Sequence, residues 1–134
     1  MAGIRKADMD ALLRFLPLFE SPPRPFILRW DGGGMTAEGA MTMHHPVYAP
    51  EVEAFFLQAG QRCWADYGYE PRQAHAMLQD DAVIAQATLA QIKTMLTYCV
   101  RGERFVDGHW AAMLESGRVV ALLRRLSELR DTVR

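Results

Sequence analysis

The chain has little cysteine, no long apolar run and almost no excess charge of either sign, and each shortage removes a class of protein. Its two cysteines, Cys63 and Cys99, have neither the density of a disulfide scaffold nor the spacing of a zinc site, so reduced, buried thiols are expected. No apolar stretch suits a membrane span or a secretion signal. The opening Met-Ala-Gly-Ile-Arg-Lys leads directly into an amphipathic segment broken by Arg14 and Pro17. A cytosolic protein is the expectation. Fifteen basic against sixteen acidic side chains leave a formal net charge of -1, which provides no broad field for nucleic acid or an anionic membrane. Repeats, low-complexity tracts and linkers are missing too, so nothing divides the chain.

What is present is globular composition. Half of the 134 residues are apolar or aromatic and 23% are charged, far from the signature of disorder and enough to bury one core. Residues 1–134 are expected to form a single domain. Asp8 or Asp10 can cap a first helix with Leu12, Leu13, Phe15, Leu16 and Phe19 at helical spacing, ended by Pro17 and the proline-rich 21–25 run. Phe26–Trp30 is short, apolar and followed by Gly32-Gly33-Gly34, which reads as a strand entering a turn, with a weaker strand within 35–48. The triple glycine lacks the Gly-Lys-Ser/Thr ending of a phosphate loop.

Pro50 starts a helix striped by Val52, Phe55, Phe56, Ala59 and Cys63 that should end near 64–68, and Pro71 opens a shorter one. Asp80-Asp81 introduces the clearest helix, with Ala85, Leu89, Ile92, Leu96 and Cys99 on one face and Gly102 as a left-handed stop. Asp107 can cap a helix to Gly117, and Val119, Leu122, Leu123, Leu126 and Leu129 stripe the last. The fold class expected is mainly α, a single compact domain of about five helices with at most a small β-hairpin near residues 26–45.

Chemistry concentrates in residues 96–110, where Arg101, Glu103, Arg104, His109 and Trp110 crowd around two glycines. One reading is structural: Glu103 bridges the two arginines, Phe105 plugs the core and Trp110 packs into the next helix. The other leaves an arginine free to grip a carboxylate or phosphate with its two-pronged guanidinium, flanked by His109 and Trp110. Catalysis would require His109 to act as acid or base, oriented by Glu103 or Asp107. Trp64-Ala-Asp66-Tyr-Gly-Tyr69 reads as a packed helix end or one wall of a stacking pocket.

His44-His45, His75 and His109 have no acidic or cysteine partner at ligand spacing, so neither a metal nor a cofactor is expected. Met35, Met41 and Met43 around the glycine turn suit an adaptable contact surface or an irregular core. Arg118, Arg124, Arg125 and Arg130 could suggest a DNA reader, but Arg118, Arg125 and Arg130 do not share one face cleanly and Glu128 and Asp131 sit among them, which argues for a solvated helix.

The segment Leu96-Thr97-Tyr98, then Arg101-Gly102-Glu103-Arg104-Phe105 and Gly108-x-Trp110, followed by Gly117 and Leu122-Leu123-x-x-Leu126, resembles a family of small prokaryotic proteins known as domain of unknown function 6508. Tyr48 and Trp64-x-Asp66 are similar to its looser N-terminal pattern. The resemblance leads one to expect a cysteine where this chain has Val106, so it carries no thiol chemistry to that corner. It implies a compact, mostly helical domain without an assigned activity.

The function expected is a non-catalytic module that binds a small anionic ligand or a protein partner through Arg101, Glu103, Arg104, His109 and Trp110, with Tyr98, Trp64 and Asp66 beside them. The alternative is an enzyme for a small anionic or nucleotide-like substrate with His109 as acid/base. Nucleic acid and membrane are not expected partners.

Overall fold

The computed structural model describes residues 3–133; residues 1, 2 and 134 of the expected domain lie outside the described residues. In chain order it runs α1 (Lys6–Leu13), α2 (Leu16–Glu20), β1 (Ile27–Asp31), β2 (His45–Tyr48), α3 (Pro50–Ala59), α4 (Pro71–Leu78), α5 (Asp81–Ala85), α6 (Leu89–Arg101), α7 (His109–Glu115) and α8 (Arg118–Thr132). Short 3-10 turns occupy Arg62–Trp64 and Gly102–Arg104. The chain is mainly helical with one small hairpin, as its periodicities imply. No helix of the described residues is long and apolar enough to cross a membrane.

Several expected boundaries move, each for a local reason. Asp8 does not precede the first helix: it lies inside α1, where its carboxylate accepts the Arg5 backbone N–H at 2.8 Å. Pro17 lies in the first turn of a separate short helix that begins at Leu16, where its fixed φ is suited. The segment expected as one helix from Asp80 to Cys99 is two, because Thr88 and Gln91 form a reciprocal cap. Gln91 Oε1 accepts the Thr88 N–H at 2.8 Å, and Thr88 Oγ1 accepts the Gln91 N–H at 3.2 Å. The Pro50 helix stops at Ala59, and Cys63 falls in the following 3-10 turn.

The hairpin pairs β1 antiparallel to β2, with Trp30 opposite Pro46, Asp31 opposite His45 and an irregularity between Ile27 and Arg29. The strand thought to span 35–48 is confined to 45–48, preceded by an isolated bridge between Met35 and Met41. Met35, Met41 and Met43 are exposed, so they fill no core.

One core unites the helices: Leu12, Phe15 and Phe19 from the N-terminal pair meet Phe55 and Phe56 of α3, Ile92, Met95 and Leu96 of α6, and Leu122, Leu123 and Leu126 of α8. Cys99 is fully buried there, and burial pushes its thiol up to about 12. The arginines of α8 act as tethers. Arg118 donates to the Leu78 carbonyl (2.7 Å), Arg125 to the Ala87 carbonyl (2.9 Å), and Arg124 and Arg130 pair with Glu20 and Asp10 at 2.8 Å.

Trp64 is fully buried in this core, and its indole N–H meets no acceptor among the described residues. It is therefore not the wall of a stacking pocket. Phenylalanine would fill most of the space and remove the orphan donor, so Trp64→Phe is expected to change unfolding free energy by no more than about 1.5 kcal/mol. Urea denaturation checks this; a loss of several kcal/mol would mean that the N–H has a partner.

Candidate functional site

The site grows from the C-terminal end of α6. The chain passes Arg101 and continues through the 3-10 turn Gly102–Arg104 without the expected left-handed stop: Gly102 has φ -59° and ψ -27°, ordinary right-handed geometry. Its missing side chain matters for another reason. A Cβ on Gly102 would overlap the imidazole of His109, which folds back against the turn. The residue that does take left-handed geometry is Gly108, at φ +88°, in the cap position of α7 where Asp107 was expected.

Glu103 supplies the carboxylate that caps α7. Its Oε1 accepts the Trp110 backbone N–H at 2.8 Å and the Tyr48 hydroxyl at 2.7 Å, while Oε2 accepts the Gly108 N–H at 2.9 Å. Burial, reinforced by that carboxylate, holds the Tyr48 hydroxyl far above the usual tyrosine range. Glu103 thus ties the hairpin's second strand to the start of α7, and it forms no ion pair with Arg101 or Arg104 among the described residues. The expected Arg–Glu–Arg bridge is replaced by capping, which leaves both guanidiniums without a carboxylate among the described residues.

Those two arginines line one cleft. Arg101 and Arg104 line a cavity of about 110 Å³ with Gly60 at the end of α3, Ala65, Tyr67 and Thr97. Arg101 lies over the rings of Tyr69 (5.2 Å to the centroid) and Tyr67 (5.9 Å), contacts worth about 0.5–1 kcal/mol each when exposed. Of the 64–69 cluster, Tyr67 therefore lines the cleft, Tyr69 only supports Arg101 from outside it, and Trp64 does neither. Asp66 fixes the loop that carries them. Its carboxylate accepts the Thr94 hydroxyl (2.6 Å) and the Gly68 N–H (3.1 Å), and its own N–H donates to Thr97 Oγ1 at 2.9 Å.

The cleft opens into a broader groove of about 650 Å³ that shares Gly60, Val100 and Arg104 with it and adds Phe56, Leu57, Arg62 and Trp110. Trp110 stacks on Phe56 with centroids 4.6 Å apart and planes within 4°, and its indole N–H donates to the Val100 carbonyl at 3.0 Å. It floors the groove as a fixed packing element. Phe105 is 80% exposed, so it does not plug the core.

His109 lines neither the cleft nor the groove. Its ring stands edge-on to Tyr98 at 5.2 Å, Tyr98 donates or accepts at His75 Nδ1 (3.0 Å), and His109 Nε2 is buried with no partner among the described residues. Burial holds its pKa below the ordinary 6.5; the nearby His75 adds to this, and the Tyr98 backbone and Glu103 oppose it. A histidine kept neutral by folding contributes stability that is complete above the unfolded-state value and is lost as pH falls below about 6.5. The expected result is an acid-side decline in urea stability between neutral pH and pH 5 that is smaller in His109→Gln; an unchanged pH slope would contradict it.

Among the sequence-singled residues, Arg101 and Arg104 meet at the cleft, Glu103 and Asp66 hold its walls, Trp110 floors the neighbouring groove, and Tyr98, His109 and Trp64 lie elsewhere. Gly60 and Tyr67 complete the cleft, and Leu57 and Arg62 complete the groove. Leu57 carried a readable signal, since it departs from the apolar stripe of its own helix and is 74% exposed. No curated protein and no solved structure matches the chain. The family described as Family of unknown function (DUF6508) matches over residues 4–132, nearly the full length, and the chain belongs to that family.

Proposed function

We propose that the protein is a non-catalytic binding module whose Arg101–Arg104 cleft takes an anionic group. The observation that carries this is the pair of arginines lining one small cavity while the adjacent carboxylate, Glu103, is committed to three hydrogen bonds elsewhere. Most other arginines of the described residues hold a carboxylate, carbonyl or amide oxygen. Two uncompensated forks within a turn are suited to a carboxylate or phosphate held by parallel hydrogen bonds. The position of His109 outside the cleft favours binding over acid–base catalysis.

Inorganic phosphate at ten times its dissociation constant is expected to stabilise the protein by about 1.4 kcal/mol, a rise in Tm of roughly 5 °C for a chain of this size. The rise should shrink as salt is added and vanish in Arg104→Ala, which itself should lose no more than about 0.5 kcal/mol of stability. A scan in which phosphate shifts the wild type and Arg104→Ala equally would remove the proposal.

A further inference from the structure

The cleft alone is sized for a headgroup, and its surroundings suggest what the headgroup belongs to. A cavity of about 110 Å³ has room for roughly four waters, enough for a carboxylate or phosphate and too little for a nucleoside. It continues into the groove floored by Phe56 and Trp110 and edged by the exposed Leu57. Charge around the two spaces is one-sided. Arg62, Arg101 and Arg104 face them without an ion-pair partner among the described residues, against Glu53 alone, in a chain whose net charge is -1.

Resting on the anion-site reading, we infer that the occupant is a peptide segment of a partner protein in which an acidic group lies beside a bulky apolar side chain. The acid enters between Arg101 and Arg104, and the apolar residue lies on Leu57 and the exposed part of Trp110, over the buried Phe56. This pairing uses both halves of the surface at once. Charge complementarity selects the acid, and the open apolar floor suits a side chain laid along a surface, as in recognition of short linear segments. A free small anion would leave the groove unused, and an apolar partner without an acid would strand the guanidiniums beneath it unpaired.

The test is a selection of short random peptides displayed on phage against the wild-type chain, followed by titration of the enriched peptides against variants. Enriched sequences are expected to pair Asp or Glu with a neighbouring Leu, Phe or Trp. Affinity should fall about thirtyfold or more in the Arg101→Ala/Arg104→Ala double variant and about tenfold in Leu57→Ser, which is exposed and should fold normally. The phosphate-induced rise in Tm should survive Leu57→Ser. Peptides without that pairing, or peptides that bind the double variant as well as wild type, overturn the inference. So does a loss in the double variant with none in Leu57→Ser, since the groove is then not engaged. A dimer that disappears in the double variant would place a second copy there and overturn it as well. If no such peptide emerges while phosphate still shifts Tm through Arg104, the anion site stands and only its occupant was misassigned; if phosphate fails too, both readings fall.

Discussion

Glu103→Ala is expected to cost about 3–4 kcal/mol of unfolding free energy, one of the two largest effects of any substitution in the corner. The carboxylate accepts three hydrogen bonds, two of them from backbone N–H groups at the start of α7 and one from the Tyr48 hydroxyl. Loss of a helix cap alone costs about 1 kcal/mol, and each half-buried donor left without an acceptor adds about 1–3 kcal/mol less whatever water recovers. Tyr48 is buried, so its hydroxyl has little access to such recovery. Glu103→Gln should fall between alanine and wild type, because one carboxylate oxygen becomes an amide that cannot accept. Urea denaturation of the three proteins checks the order. A loss below about 1 kcal/mol in Glu103→Ala would mean that α7 does not depend on this cap.

At the neighbouring residue, Gly102→Ala should destabilise by about 3 kcal/mol, against the ordinary rule. Gly102 has right-handed helical geometry, where replacing glycine by alanine normally stabilises by about 0.5–1 kcal/mol. The His109 ring reverses the sign, since it occupies the space that a Cβ would need and is itself wedged beside Tyr98. The double variant Gly102→Ala/His109→Ala should recover part of the loss, with an interaction energy of about 1 kcal/mol or more in the cycle. A stabilised Gly102→Ala would place the ring elsewhere.

These two positions also mark how far the sequence could be read. The density of arginine, glutamate and histidine near Gly102 pointed to the turn that carries the α7 cap and two cleft-lining arginines, and the apolar stripes of α3, α6 and α8 pointed to the core. Pairings were harder. Glu103 sits between two arginines in sequence, so a bridge was the local inference; its real partners are backbone groups five and seven residues on and a hydroxyl from β2, which only the folded chain brings together. Gly102 looked like a left-handed stop because glycine usually serves there, whereas the requirement comes from a ring seven residues later. The split between α5 and α6 was legible in principle, as Thr88-Leu89-Ala90-Gln91 has the spacing of a reciprocal cap inside an otherwise continuous stripe. Tyr67 reaches the cleft and Arg62 the groove from elements whose packing no local pattern discloses.

The most direct test of the central claim is a titration with inorganic phosphate followed by NMR of the arginine side-chain Nε–Hε groups at low salt. Resonances of Arg101 and Arg104 should shift together along one saturating curve, with backbone amides of Gly60 and Tyr67 following. Arg118 and Arg130, held by protein acceptors in α8, should stay still. Shifts spread evenly over all arginines, or confined to residues away from Arg101 and Arg104, would contradict the account.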